Sequence, residues 1–216
     1  EVKMLEASFG HQRRQKLNAC KVCLVTSPNS NLNKIVSAAL KAGIGMVQYR
    51  SKNINDIDLL DEAKDLASLC KAYGALFIVN DRVDIALLSK ADGVHLGQND
   101  IPISEARKLI GTEMLLGKSA HTLKDLNQAQ KEGCDYLGVG PIKSTTNKPL
   151  KKPLGLEYLK EISKATKIPW FAIGGINSST LVQVLSAGAD RIAVIGAIMN
   201  SNDPANASLK LLEAME

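Results

Sequence analysis

A chain of 216 residues, 45% hydrophobic, can bury one sizeable core, and its 23% charged residues are ordinary for a water-soluble domain. The net charge of +5 and sequence pI of 9.0 invite a nucleic-acid partner, but an aromatic content of 4% and the lack of any nucleic-acid motif argue against one. No apolar run approaches the roughly 20 residues of a membrane span and no secretory h-region is visible, so we expect a cytoplasmic protein acting on small anions, with neither a membrane nor a nucleic acid as partner.

Residues 1–19 are polar, basic in "HQRRQK" and not clearly periodic, and read as a lead-in helix or linker. Because the chain begins with Glu1, we expect either a piece of a longer polypeptide, with room for a further domain ahead of it, or a processed chain. Residues 20–216 then alternate short apolar runs with helical patterns. The first pair is "KVCLVT" and "LNKIVSAALKAG". "GMVQYR" precedes a long helix from about Asn55 to Tyr73, and "ALFIVN" precedes "VDIALLSKA". "GVHLG" leads to "ISEARKLIG", with Pro102 near the helix start and Gly111 as its stop signal. "MLLGKS" with "LKDLNQAQKEG", "YLGVG" with "LEYLKEISKAT", "WFAIGG" with "SSTLVQVLSAG" and "RIAVIG" with "PANASLKLLEAM" complete the series. Eight strand-then-helix units predict a (β/α)8 TIM barrel. The alternative, a doubly wound open sheet, requires a Gly-rich turn after the first strand, where "SPNSN" stands instead. The cysteines Cys20, Cys23, Cys70 and Cys134 include a single CxxC without a second pair, and read as buried free thiols.

In such a barrel the active site lies at the C-terminal ends of the strands. Polar residues gather there: Gln48, Arg50 and Lys52; Asn80, Asp81 and Arg82; His95, Gln98 and Asp100; Lys118, Ser119 and His121; and the segment "GPIKSTTNK". Strands seven and eight end in Gly174-Gly175 and Gly196, which would let a phosphate approach backbone N–H groups. Arg50, Lys52 and Lys148 lie with Asp81 and Asp100, and carboxylates beside a phosphate call for a divalent cation between them. Another reading pairs Asp81 with Arg82 or Arg50 and makes Asp100 a helix cap. His95 is either an acid–base group or a hydrogen-bonded histidine of the barrel mouth. Ser119 lacks the partners of a nucleophilic triad and reads as a hydrogen-bonding group near the reacting centre.

The strings "VQYRSK", "VNDRVDIA", "DGVHLGQND", "GKSAHT", "DYLGVGPIKSTTNK", "AIGGI" and "AGADRIAVIGAI" together resemble the thiamine-phosphate synthase family, in family order over about residues 21–200. The resemblance implies a pyrimidine pyrophosphate site at Gln48, Tyr49, Arg50, Ser51 and Lys52, with Asn80 and Ser119, and Mg²⁺ ligands at Asp81 and Asp100. It places the thiazole phosphate against Thr145, Thr146, Asn147, Gly175, Ile195 and Gly196, and Lys148 on the pyrophosphate. Arg50, Lys52, Ser119 and Lys148 would be the groups closest to the chemistry. The chain departs from the family pattern at Lys143 and Ser144, where an aromatic residue and a proline are usual, at Asn147, usually threonine, and at Gly196, usually serine.

The implied activity is the Mg²⁺-dependent joining of 4-amino-2-methyl-5-(diphosphooxymethyl)pyrimidine to a thiazole phosphate, giving thiamine phosphate and pyrophosphate. Two alternatives are a thiazole tautomerase-like relative and a non-catalytic barrel that binds thiamine precursors; neither has a use for the pyrophosphate clamp. We further expect the lysine-rich loop from Lys143 to Lys152 to settle when pyrophosphate supplies opposing charge, and to close over the reacting centre.

Overall fold

The apolar runs alternate in direction once they are folded as strands. Leu24, Val47, Phe77 and Leu137 face a helix layer, while Cys23, Met46, Ile78 and Phe171 belong to a separate cluster inside the sheet. A strand buried on both faces reads as an unbroken hydrophobic run, which is why the pattern showed short apolar stretches rather than polar–apolar alternation. The computed structural model describes residues 2–144 and 153–216.

Eight parallel strands form a closed barrel in sequence order: β1 (Val22–Val25), β2 (Met46–Tyr49), β3 (Leu76–Asn80), β4 (Gly93–Leu96), β5 (Leu115–Ala120), β6 (Tyr136–Val139), β7 (Trp170–Ile173) and β8 (Ile192–Val194). Closure is made by β1 pairing with β8, with Cys23 opposite Ala193. The barrel helices are α2 (Leu32–Lys41), α3 (Asp56–Ala72), α4 (Val83–Leu88), α5 (Ile103–Ile110), α6 (Leu123–Lys131), α7 (Leu156–Ala165) and α8 (Leu181–Ser186), followed after β8 by the short α9 (Gly196–Met199) and by α10 (Pro204–Glu213). The expected (β/α)8 barrel is therefore the fold, and the open sheet is excluded by the β1–β8 ladder.

Local chemistry sets several helix starts. Asn55 caps α3 by accepting from the Asp58 N–H, and Thr122 with Asp125 forms a reciprocal capping box on α6. Asp203 caps α10, with Pro204 in its first turn. Among the described residues no helix is long and apolar enough to cross a membrane.

Residues 2–19 form a helix, α1 (Val2–Ala19), that docks on the N-terminal mouth of the barrel. Arg13 Nε meets Asp92 Oδ1 at 2.9 Å and Arg14 Nε meets Asp135 Oδ1 at 3.0 Å. Both carboxylates also accept strand N–H groups: Asp92 from Phe77 at 3.0 Å, Asp135 from Leu116 at 2.8 Å. Leu17 is buried among the interior barrel residues. The helix closes the face opposite the rim where the candidate residues stand, through charge pairs as much as through apolar contact.

All four cysteines are buried free thiols. Burial pushes Cys20, Cys70 and Cys134 up to about 12, and Cys23 well above its ordinary value, so each is held as a neutral thiol.

Candidate active site

The inward-facing residues at the C-terminal strand ends surround a cavity of about 540 Å³. Gln48, Arg50, Asn80 and Ser119 line it from β2, β3 and β5, and Gly175, Ile195 and Gly196 from the ends of β7 and β8. A volume of this size suits a small-molecule site. Lys52, Ser51 and Asp81 line a smaller adjoining pocket of about 200 Å³, to which Asn80 also contributes. Tyr49 also lines this smaller pocket but does not reach the main cavity. Its ring lies in the layer between strands and helices, stacked with Phe77, and its hydroxyl donates to Glu62 of α3 at 2.6 Å. Consecutive strand residues point to opposite faces, so Gln48 and Arg50 enter the cavity only because Tyr49 does not. Thr145, Thr146, Asn147 and Lys148, with most of the expected closing loop, lie outside the described residues.

Arg50 is anchored by its backbone. The fully buried Thr26 hydroxyl accepts from the Arg50 N–H at 2.8 Å and donates to the Arg50 carbonyl, tying the end of β2 to that of β1. Thr26 was not singled out in the sequence, because it closes "KVCLVT" with no motif around it.

Asp81 and Asp100 come together over the turn after β4. A Cβ on Gly97 would stand 3.1 Å from Asp100 Oδ2 and 3.9 Å from Asp81 Oδ1, so both carboxylates converge on one spot. Burial, and then the neighbouring Asp100, push Asp81 up to about 6, against the opposing pull of Lys52 and Arg50. Two carboxylates held this close, with cations beside them, form a donor set that suits a hard divalent cation. Asp81 has a φ of 65°, a left-handed conformation uncommon for a residue with a side chain. Two of the competing readings find no contact here, while the attraction between Arg50 and Asp81 remains. Arg82 turns outward to Asp56 at 2.7 Å and Asp84 at 2.6 Å, away from Asp81. Asp100 Oδ2 accepts from the Gly97 N–H at 2.6 Å, and α5 has Pro102 at its N-cap with no side-chain cap.

On the opposite wall, Gly174 and Gly175 have φ values of 104° and 68°. A Cβ on Gly174 would lie 2.7 Å from Pro141 Cα, and one on Gly175 would lie 2.8 Å from Lys143 Cβ. Both glycines are thus required by backbone conformation and by the close approach of the segment after β6. That segment carries two of the departures from the family pattern: Ser144 lines the cavity, and Lys143 Nζ donates to Gln183 of α8 at 2.7 Å. Gly196 opens α9, and a Cβ there would lie 3.2 Å from Asn200 Nδ2. The Asn200 amide therefore occupies space beside the position where the family usually has a serine side chain. Ser27, Asn177 and Asn200 all line the cavity without having been picked out in the sequence, since single polar residues in loops carry no spacing signal.

His95 lies inside the barrel mouth. Its Nδ1 is 3.1 Å from the Tyr136 hydroxyl and its Nε2 is 3.1 Å from Ser119 Oγ. The His121 ring contacts the Gly140 carbonyl.

Residues 22–198 match the thiamine monophosphate synthase family. The chain belongs to that family. Over its whole length it is 60% identical to a thiamine-phosphate synthase of Prochlorococcus marinus (strain MIT 9303) and 50% identical to one of Synechococcus sp. (strain WH7803). In each case it spans 62% of the relative's own length. A solved family structure, the thiamine phosphate pyrophosphorylase from Pyrococcus furiosus, superimposes with a TM-score of 0.84 at 38% identity, covering 94% of this chain and 96% of that one. Family membership thus rests on nearly the whole barrel, including both walls of the cavity.

Proposed function

We propose that this chain is a thiamine-phosphate synthase, joining a pyrimidine pyrophosphate to a thiazole phosphate. The observation that carries the reading is the two-sided cavity. Arg50 and Asn80 stand on one side of the cavity, with Lys52 and Asp81 in the adjoining pocket and Asp100 beside Asp81, and glycine-rich backbone lines the other side from β7 and β8. One end suits a pyrophosphate, the other a single phosphate, and the space between them suits two rings. Family membership supports the activity as a whole.

In the reaction, the carbon–oxygen bond of the pyrimidine's methylene breaks and pyrophosphate leaves with the electron pair. The electron-rich aminopyrimidine stabilises the cation that remains, and the thiazole nitrogen lone pair forms the new carbon–nitrogen bond. Arg50 and Lys52, with Lys148 by family resemblance, neutralise charge growing on the departing group. Gln48, Asn80 and Ser119 hold the pyrimidine in place. Gly175, Ile195 and Gly196 hold the thiazole phosphate, and thereby the attacking nitrogen, within reach. Asp81 and Asp100 would hold Mg²⁺, which when bound supplies counter-charge to the pyrophosphate. Such chemistry on free phosphorylated intermediates fits a cytoplasmic enzyme.

The test is an assay of thiamine phosphate formation with both substrates, with and without Mg²⁺, and with each substrate omitted in turn. Product that requires both substrates and the cation supports the reading. No product under any of these conditions overturns it.

A further inference from the structure

Ser119 can face the cavity either as a donor or as an acceptor, because a hydroxyl has one hydrogen and two lone pairs. Which it does depends on a chain of groups reaching back into the barrel. Behind Ser119 stands His95, and behind His95 stands Tyr136, which is fully buried. The three residues come from β5, β4 and β6. Two glycines make room for them: a Cβ on Gly117 would lie 2.2 Å from Tyr136 Cζ and 2.5 Å from His95 Nδ1, and one on Gly138 would lie 3.0 Å from His95 Cε1. The imidazole is therefore wedged between strands, and its orientation is set by packing before any substrate arrives.

A buried hydroxyl hydrogen left without an acceptor is destabilising, so it is donated wherever an acceptor is in reach. Among the described residues, the one hydrogen-bond partner found for the Tyr136 hydroxyl is His95 Nδ1. Burial holds the Tyr136 phenol well above its ordinary range, so the hydrogen is present to be given. Donation from Tyr136 makes Nδ1 an acceptor, and the ring proton of a neutral His95 then sits on Nε2. That N–H points at Ser119 Oγ, 3.1 Å away. Once Ser119 accepts from His95, its own hydrogen is released toward the cavity.

We infer that Tyr136 and His95 are positioning residues which fix Ser119 as a hydrogen-bond donor to an acceptor atom of the bound substrate, such as a ring nitrogen. The tautomer follows from the chain's own hydrogen bonds, whereas the identity of the acceptor rests on the proposed function.

The chain has three histidines, so their side-chain nitrogens can be read individually by long-range ¹H–¹⁵N correlation, with His11→Gln and His121→Gln variants to assign the signals. The expected result for the unmodified chain is a pyridine-like Nδ1 and a pyrrole-like Nε2 on His95. Tyr136→Phe should remove that bias, and should raise KM for the pyrimidine pyrophosphate about threefold to tenfold, the worth of one hydrogen bond, while leaving KM for the thiazole phosphate unchanged. A pyrrole-like Nδ1, or protons on both ring nitrogens, in the unmodified chain overturns the inference. So does a Tyr136→Phe variant with an unaltered His95 spectrum, or with both KM values shifted alike. If Tyr136→Phe does not fold, the spectrum of the unmodified chain alone decides. That spectrum needs no substrate, so a failed synthesis assay sinks the activity while leaving this inference to stand or fall on its own.

Discussion

Asp100 already commits one oxygen to the Gly97 N–H at 2.6 Å, and directs the rest of its carboxylate at Asp81. Asp100→Asn can keep the first contact through the amide oxygen but loses the charge. Turnover should fall about 10²-fold or more, the usual cost of removing a charge-stabilising group. Thiazole phosphate affinity should hardly change, because that ligand is assigned to the far wall. Steady-state kinetics beside calorimetric titration would check both, and near-normal turnover would remove Asp100 from the metal role. At this scale the sequence was informative wherever a residue sits at a strand end. Gln48, Arg50, Asn80 and Ser119 reach the cavity simply because inward positions at the C-terminal rim must. It did not separate Tyr49, which reaches only the smaller pocket, from Gln48 and Arg50, which enter the main cavity by strand alternation. The link from Tyr136 to His95 spans 41 residues and depends on the empty space at Gly117, so no local pattern announces it.

The helix preceding the barrel shows how an element can be well docked and poorly legible. α1 has no strong apolar stripe, and the periodicity that marked α2 or α5 is weak in it. Its attachment is instead a set of arginine–carboxylate pairs to residues about 80 to 120 positions away. Asp135 is the centre of this arrangement, accepting from Arg14, from Arg107 at 2.9 Å and from the Leu116 N–H at the start of β5. Replacing it with alanine leaves two guanidinium groups and a strand N–H short of a partner. We expect Asp135→Ala to cost about 2–4 kcal/mol of stability, measured by urea denaturation. Arg14→Ala removes one more exposed pair and should cost about 1 kcal/mol or less. Equal losses from the two would mean that the Arg14 pair carries the whole effect and that the Arg107 and Leu116 contacts add nothing.

Over the whole molecule, the β1–β8 ladder joins the two ends of the barrel sequence, so the site is assembled only when the last strand has found the first. The alternation of eight strands and helices was legible, since each unit carries its own hydrophobic period, but the short α9 directly after β8 was not foreseen. The position of α1 was not, and it has a practical bearing. Among the described residues, α1 covers one mouth through Arg13, Arg14 and Leu17, and the cavity is lined by residues at the other. A surface tether joined to this helix would therefore hold the barrel with its open mouth toward solution, like a cup fixed by its base. Protein captured on a biosensor in this way should bind thiazole phosphate with the affinity it shows in free solution. Capture through a cysteine introduced at Ser27, on the open rim, should weaken or abolish binding.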